Sequence, residues 1–268
     1  MKIAAYNYRE FDEAEFFDKF SPSSFFPSNH SFYKRIQSEG NYNICITRQV
    51  LEYCKLSQNF YNRIIYDGVF MESDLPKYFI NDKENYFVFV GRVEPNKGLD
   101  DLLISFGQFY KSHRDYSLKI LGSYSKNSQY FNKCIDIVKK EGLLDCVHFL
   151  GYLKDAKNYI AKAKALIVPS HFEGFGFVTV EAMIYKTLVI GRDTSGTKEQ
   201  FDIGLERTGN EIGIRFIDNG GLLSAMIKAA EIDNTSMIER AFDVVSKMYS
   251  IEKNIKKINE LYLDCIKH

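Results

Sequence analysis

Two cationic and two acidic side chains carry the chemistry that can be read in this sequence. Arg92 and Lys97 lie in Gly91-Arg92-Val93-Glu94-Pro95-Asn96-Lys97-Gly98, and Glu173 and Glu181 lie in and beyond Glu173-Gly174-Phe175-Gly176. Arginine grips phosphate oxygens bidentately and lysine adds a compact charge. A buried charge-assisted contact of either kind contributes roughly 1.5–3 kcal/mol. The two glutamates frame a helical pattern over 177–186, and each carboxylate can accept hydrogen bonds from hydroxyls. The helix start between them favours an anion through its dipole and its unsatisfied N–H groups. A diphosphate with polyhydroxyl rings at both ends fits that layout, and nucleotide sugars are such ligands. The plain alternatives are ordinary surface charge around a turn, and an αβ corner that binds no phosphate and leaves Glu181 on a solvated face. Two anion-suited loops on one sheet edge favour the ligand.

The elements that must position these residues are legible in the hydrophobic pattern. Residues 165–168 form a short apolar run of the kind found in strands buried on both faces, and Pro169 ends its ladder. Further strands are expected at 86–90, 117–121, 147–150, 188–190 and 213–216. Leu99, Leu102, Leu103, Phe106, Phe109 and Tyr110 fall at helical spacing, as do Tyr130, Phe131, Cys134, Ile135 and Val138. Alternating strands and helices mean a parallel sheet with helices on both faces, so the expected class is a doubly wound α/β domain. The tail shows three helical patterns, at 220–230, 237–248 and 251–266. The front is less regular: strands near 2–8, 42–47 and 63–66, helices near 11–20, 33–38 and 49–55, and an aromatic-rich loop with Phe25, Phe26, Phe32 and Tyr33. Asp67-Gly68 is a turn signal.

Composition bounds the function. The chain has 268 residues with 35 basic and 35 acidic side chains, which argues against a general nucleic-acid binder. The N-terminus lacks a signal-peptide core, and no apolar run approaches the roughly 18 residues of a membrane span. Cys45, Cys54, Cys134, Cys146 and Cys265 are scattered and odd in number, which suits buried thiols in a reducing compartment. The expectation is a cytoplasmic protein, with a peripheral place at the inner membrane face left open. No G-x-G-x-x-G follows an early strand and no P-loop is present, so those two phosphate sites are poor matches.

Taken together, the motifs resemble those of the retaining GT-B glycosyltransferases, the "glycosyl transferases group 1" set. The likeness runs from Arg63 to Ile217. It rests on Tyr66-Asp67-Gly68-Val69, Gly91-Arg92 with Lys97-Gly98, Leu121-Gly122, Phe149-Leu150-Gly151, the E-x7-E pair Glu173/Glu181, and Ser195-Gly196 before Glu199. The resemblance implies that Arg92 and Lys97 hold the donor diphosphate and steady the leaving group, with Gly91 beside them. It implies that Glu173 contacts donor-sugar hydroxyls, helped by backbone N–H groups of Gly174, Phe175, Gly176, Phe177 and Val178. Glu181 would accept from the ribose hydroxyls, and Tyr152 would lie beside the base. In such enzymes the donor's own phosphate oxygen takes the acceptor proton, no cofactor is needed beyond the donor substrate, and metal is not usually required.

Two departures qualify the likeness. Lys186-Thr187-Leu188 stands where the family usually has Gly-x-Pro. More seriously, the family's acceptor domain is about twice as long as the portion ahead of the hinge, and its glycine-rich donor loop and donor-facing histidine have no counterpart at the front. His30 and His171 are poor candidates for that histidine. The expected organisation is therefore a reduced acceptor-side portion over 1–83 and a nucleotide-sugar-binding domain over 84–268, with the helix 251–266 returning to the N-terminal portion. The expected activity is sugar transfer from a nucleotide-diphosphate sugar to a glycan or lipid-linked acceptor, by this chain alone or with a partner chain that completes the acceptor side. The competing reading is a non-catalytic nucleotide-sugar-binding subunit or scaffold. A sugar-nucleotide epimerase would need both halves, and its acid–base groups are not recognisable here.

Overall fold

The computed structural model describes residues 3–6, 42–53, 57–59, 61–70 and 83–267. The expected helices at 11–20 and 33–38 and the aromatic loop around Phe25 lie outside the described residues, as does Cys54. The chain divides into two units, residues 1–68 with 251–268 and residues 69–250.

The described part of the first unit is a three-stranded parallel sheet in the order β1-β2-β3, with β1 at Ile3–Tyr6, β2 at Tyr42–Cys45 and β3 at Asn62–Ile64. Helix α1 (Arg48–Tyr53) follows β2. Thr47 caps it, its Oγ1 accepting from Val50 N at 3.1 Å.

The second unit holds a six-stranded parallel sheet and eight-residue or longer helices on either side of it, with one shorter helix. In chain order the elements are β4 (Glu84–Val90), a 3-10 turn (Pro95–Lys97), α2 (Leu99–Tyr110), β5 (Ser117–Leu121), α3 (Gln129–Lys140), β6 (Val147–Gly151), α4 (Ala156–Lys162), β7 (Ala163–Val168), α5 (Phe177–Ile184), β8 (Leu188–Arg192), α6 (Ser195–Thr208), β9 (Ile214–Phe216), α7 (Asn219–Glu231) and α8 (Thr235–Met248). Alternate strand residues face opposite layers. Phe87, Phe89, Leu118, Ile120, Ala165, Ile167, Leu188 and Ile190 join one core with Leu103 and Phe106 of α2, Phe131 of α3 and Leu222 of α7. Val88, Leu166 and Val189 are just as deeply buried on the other face, where α8 packs on α5 and α6. Burial on both faces explains why these strands read as continuous apolar runs.

The last helix, α9 (Ile251–Lys267), belongs to the first unit. Leu261 is buried with Tyr42 and Ile65. Arg63 pairs with Asp264 at 2.8 Å, and Asn254 Nδ2 donates to Tyr66 O at 2.7 Å. Among the described residues no helix is long and apolar enough to cross a membrane.

At the amino end of the large sheet, Lys83 Nζ donates to Ala161 O at 2.5 Å and to Thr187 Oγ1 at 2.8 Å. Burial pushes its ammonium down to about 7 from an ordinary 10.5. Between those values the unfolded chain holds a proton that the folded chain has released, so stability rises with pH across that window. Denaturant titrations from about pH 7 to about pH 10 check this. Wild type should gain stability relative to Lys83→Met across the range, and parallel profiles would contradict a desolvated lysine.

Candidate functional site

The strand order of the large sheet is β6-β5-β4-β7-β8-β9, all parallel. Chain order therefore reverses between β4 and β7, and the loops that leave these two neighbours part to opposite faces of the sheet. Open α/β sheets bind ligands in the crevice that such a reversal creates at the carboxyl ends.

Both sequence-predicted loops leave the sheet there. Lys97, at the end of the 3-10 turn after β4, donates from Nζ to Glu173 Oε1 at 2.9 Å. Each side chain is 16% exposed. Ser170 Oγ donates to the same carboxylate oxygen at 2.7 Å. Among the described residues Nζ has no other partner and Oε2 has none, so two ammonium protons and one carboxylate oxygen remain for a ligand. The 3-10 turn is held against the end of β7 by its backbone. His171 N donates to Asn96 O at 2.8 Å. Gly98 has φ +65, and a Cβ there would come within 2.3 Å of Pro169 O.

The loop after β7 is held from α6. Gly196 N donates to Glu173 O at 2.9 Å, and Gln200 Nε2 donates to Phe175 O at 2.5 Å and Gly176 O at 3.3 Å. Gly176 takes a left-handed φ of 83 as the residue before α5, and no side chain caps that helix. A planar trans peptide points its N–H opposite to its C=O. The N–H groups of Gly174, Gly176 and Phe177 are therefore turned away from α6. The loop's remaining predicted members, Phe175 and Val178, differ in setting. Phe175 is buried with its ring edge-on to Phe177 at 5.0 Å, and Val178 is half-buried in the first turn of α5.

The other predicted residues are placed along the same edge. Gly91 follows β4 directly, its N–H on Leu121 O at 2.9 Å. Arg92 comes next, half-exposed, with Nη1 3.2 Å from Glu94. The structure thus brings Lys97 and Glu173 together and pairs Arg92 with an acid of its own loop. Glu181 is half-buried one turn inside α5, four residues after Phe177. Tyr152 follows β6, two strands from β4, and is 75% exposed. Among the described residues no group of three or more His, Cys, Asp or Glu side chains is placed to hold a metal ion.

Several members of this edge carry no motif. Ser170 and Gln200 are two. Asp101 and Arg192 form a third feature: Arg192 donates to Pro169 O at 2.9 Å, to Ile217 O at 3.0 Å and to Asp101 Oδ2 at 2.6 Å. That one guanidinium ties the ends of β7, β8 and β9 to the first turn of α2. In the same turn, burial raises the Asp100 carboxyl, but hydrogen bonds from Lys133 and Tyr130 outweigh it and leave the group below its usual range. Two anchored acids at a helix start also complement its dipole.

A sequence profile of the family described as "Glycosyl transferases group 1" matches residues 70–210, more than half of the chain. The chain belongs to the glycosyl transferases group 1 family. It is 28% identical over 173 residues to an uncharacterized glycosyltransferase of Methanocaldococcus jannaschii, covering 63% of this chain and 44% of that protein. Glycogen synthases and mannosyltransferases are among its other relatives. The chain spans about half or less of the length of the curated relatives it matches. Among solved structures it superposes on a sucrose-phosphate synthase of Thermosynechococcus elongatus with a TM-score of 0.79, at 19% identity, over 99% of this chain and 68% of that one. Anabaena HepE, solved in complex with UDP and glucose, superposes with a TM-score of 0.76 at 18% identity over 91% of this chain and 69% of that one. The fold is α/β and GT-B-like.

The close approach of the 3-10 turn to β7 in this family member can be measured at Gly98. Gly142 has nearly the same φ, +68, but open space around its Cβ position. Gly142→Ala should cost about 1–2 kcal/mol, the left-handed penalty alone. Gly98→Ala should cost roughly 2–4 kcal/mol, because the methyl also meets the Pro169 carbonyl. Equal losses in denaturant unfolding would show that the turn is free to move away from β7.

Proposed function

We propose that this chain transfers a sugar from a nucleotide-diphosphate sugar to a glycan or lipid-linked acceptor, with retention of configuration. The observation that carries the proposal is the meeting of Lys97 and Glu173 at the point where the strand order reverses. Lys97 offers its remaining ammonium protons to the donor diphosphate, and Arg92 adds a second cation from the same loop. Glu173 offers a carboxylate oxygen to donor-sugar hydroxyls, and the N–H groups turned away from α6 add dipoles aimed at the same anion. Glu181, one turn into α5, accepts from the ribose, and Tyr152 borders the base. Breaking the glycosyl bond moves negative charge onto the diphosphate. Fixed cations and oriented dipoles stabilise that charge without reorganising during the step, which is the main catalytic contribution of this chain. The donor's own phosphate oxygen takes the acceptor proton, so no protein nucleophile is required. The complex of Anabaena HepE with UDP and glucose supports the choice of ligand.

In this reading the front of the chain, up to residue 83, is the acceptor side, and residues 84–268 bind the donor except for the last helix, which belongs to the unit at the front. A second reading is a non-catalytic donor-binding subunit that needs a partner chain. It is favoured by one fact: the family profile matches residues 70–210, the part that carries the donor-side loops. Acceptor positioning contributes much of the rate in a two-substrate reaction, so a missing acceptor surface would silence transfer and leave donor binding intact.

Titration calorimetry with UDP, UDP-glucose and GDP-mannose tests the site. At least one of the three should bind wild type, and Lys97→Ala should weaken it about 10- to 100-fold, the loss expected for one buried charge-assisted contact. Unchanged affinity in the variant for every ligand that binds would sink the assignment. Sugar transfer by the purified chain alone would then dismiss the subunit reading.

A further inference from the structure

We propose that Gln200 is a positioning residue for the donor loop: its side-chain amide fixes the peptide planes of residues 175–177, and so the N–H groups offered to the donor. The inference rests on the reading of the Glu173–Gly176 loop as a donor site, and adds a residue that the loop motif does not contain. Gln200 is 2% exposed in the middle of α6. Its Nε2 reaches two successive carbonyls, Phe175 O at 2.5 Å and Gly176 O at 3.3 Å. Because both targets are carbonyls, the amide must present its NH2 group there. Its Oε1 is buried without a hydrogen-bond partner. An amide here leaves its own oxygen unpaired, whereas an aliphatic side chain would leave the buried Phe175 carbonyl without this donor. The gain that offsets the cost is control of the loop.

The geometry supports that role. Gly176 is in a left-handed conformation at the start of α5, and the Thr179 and Thr197 hydroxyls and the Gln200 amide are the atoms nearest to where a Cβ would lie, each at 3.5 Å. Left-handed and right-handed glycine are nearly equal in energy, so the residue's own conformation does not fix these peptides. Gly196 N fixes the Glu173 carbonyl from the first turn of α6. Gln200, one turn further along, holds the Phe175 carbonyl and shares the Gly176 carbonyl with Thr179 N, which donates to it at 3.0 Å. With all three carbonyls drawn towards α6, the intervening N–H groups face the other way as a set.

Gln200→Met keeps the length and removes the donors. Gln200→Glu keeps the shape and puts a carboxylate against two carbonyls. Hydrogen exchange of the segment 172–178 in the ligand-free protein should be about 10-fold faster in Gln200→Met, with the large sheet unchanged. The dissociation constant of whichever of UDP, UDP-glucose and GDP-mannose binds wild type should rise about 10-fold, with thermal unfolding within about 5 °C of wild type. In Gln200→Glu the affinity should be lost near neutral pH and recover as the pH falls and the carboxyl, once protonated, can donate again. That recovery would not accompany a purely space-filling role, and this variant decides the matter if Gln200→Met does not fold. Unchanged exchange in Gln200→Met, or faster exchange with unchanged affinity, overturns the inference. If wild type binds none of UDP, UDP-glucose and GDP-mannose, the donor-site reading fails by itself, and the exchange result still decides whether Gln200 sets the loop.

Discussion

Two charges separated by 76 positions in the chain meet at 2.9 Å where β4 and β7 lie side by side. Their meeting depends on topology before chemistry. Only because chain order reverses at these neighbouring strands do the loop ends of both open into one gap. Each charge gives up most of its water, and a partly buried ion is tolerable only with an opposite partner and further hydrogen bonds. Ser170 supplies one of those bonds, and the backbone contact between His171 and Asn96 holds the two loops in register. The pair is therefore as well ordered as the turn beneath it. That turn can approach β7 only because residue 98 has no side chain.

Much of the large unit was legible because burial on both sheet faces writes strands as uninterrupted apolar runs. The expected strands at 117–121 and the helix pattern opening at Leu99 agree with β5 and α2. The cationic and acidic loops were legible for a related reason, since polar residues directly after buried strands mark the sheet edge. Helix α6 was not. Gly196 and Gly204, with Thr197 and Thr208, lower its intrinsic preference, and packing of Phe201 and Ile203 holds it instead. Short α4 has too few turns to show a period. Gln200, Asp101 and Arg192 escaped notice because they act across elements, mostly on backbone carbonyls, and no local spacing encodes such a contact. The end of α5 shows the same limit: the pattern runs to Lys186, while the helix stops at Ile184.

That helix end also bears on how the site region tolerates strain. Lys186 has φ 51 in the place where the family usually has glycine, and its N–H and that of Thr187 return to Met183 O and Ala182 O. This is the Schellman pattern, made here with a side chain that disfavours it. Its ammonium finds Glu239 at 2.8 Å. Ser195, with φ 55, is the other non-glycine residue of positive φ among the described residues, and it opens α6 just before the N–H that reaches Glu173 O. Strained backbone and the orphan acceptor on Gln200 thus gather around one loop and its two flanking helices. Departures from local rules concentrate where geometry has to be specified rather than merely filled.

The larger unit also begins and ends at one place. Val69 pairs with Ser250 in a parallel bridge, and its N–H donates to Tyr249 O at 2.7 Å. The incoming and outgoing segments of this unit are thus neighbours, fastened together by main-chain atoms. A segment closed on itself in this way can be lifted out of one gene and set into another with a junction of few residues, because its two ends ask for no span to be bridged. The same closure makes new termini acceptable in any exposed turn of the unit, with the old ends fused.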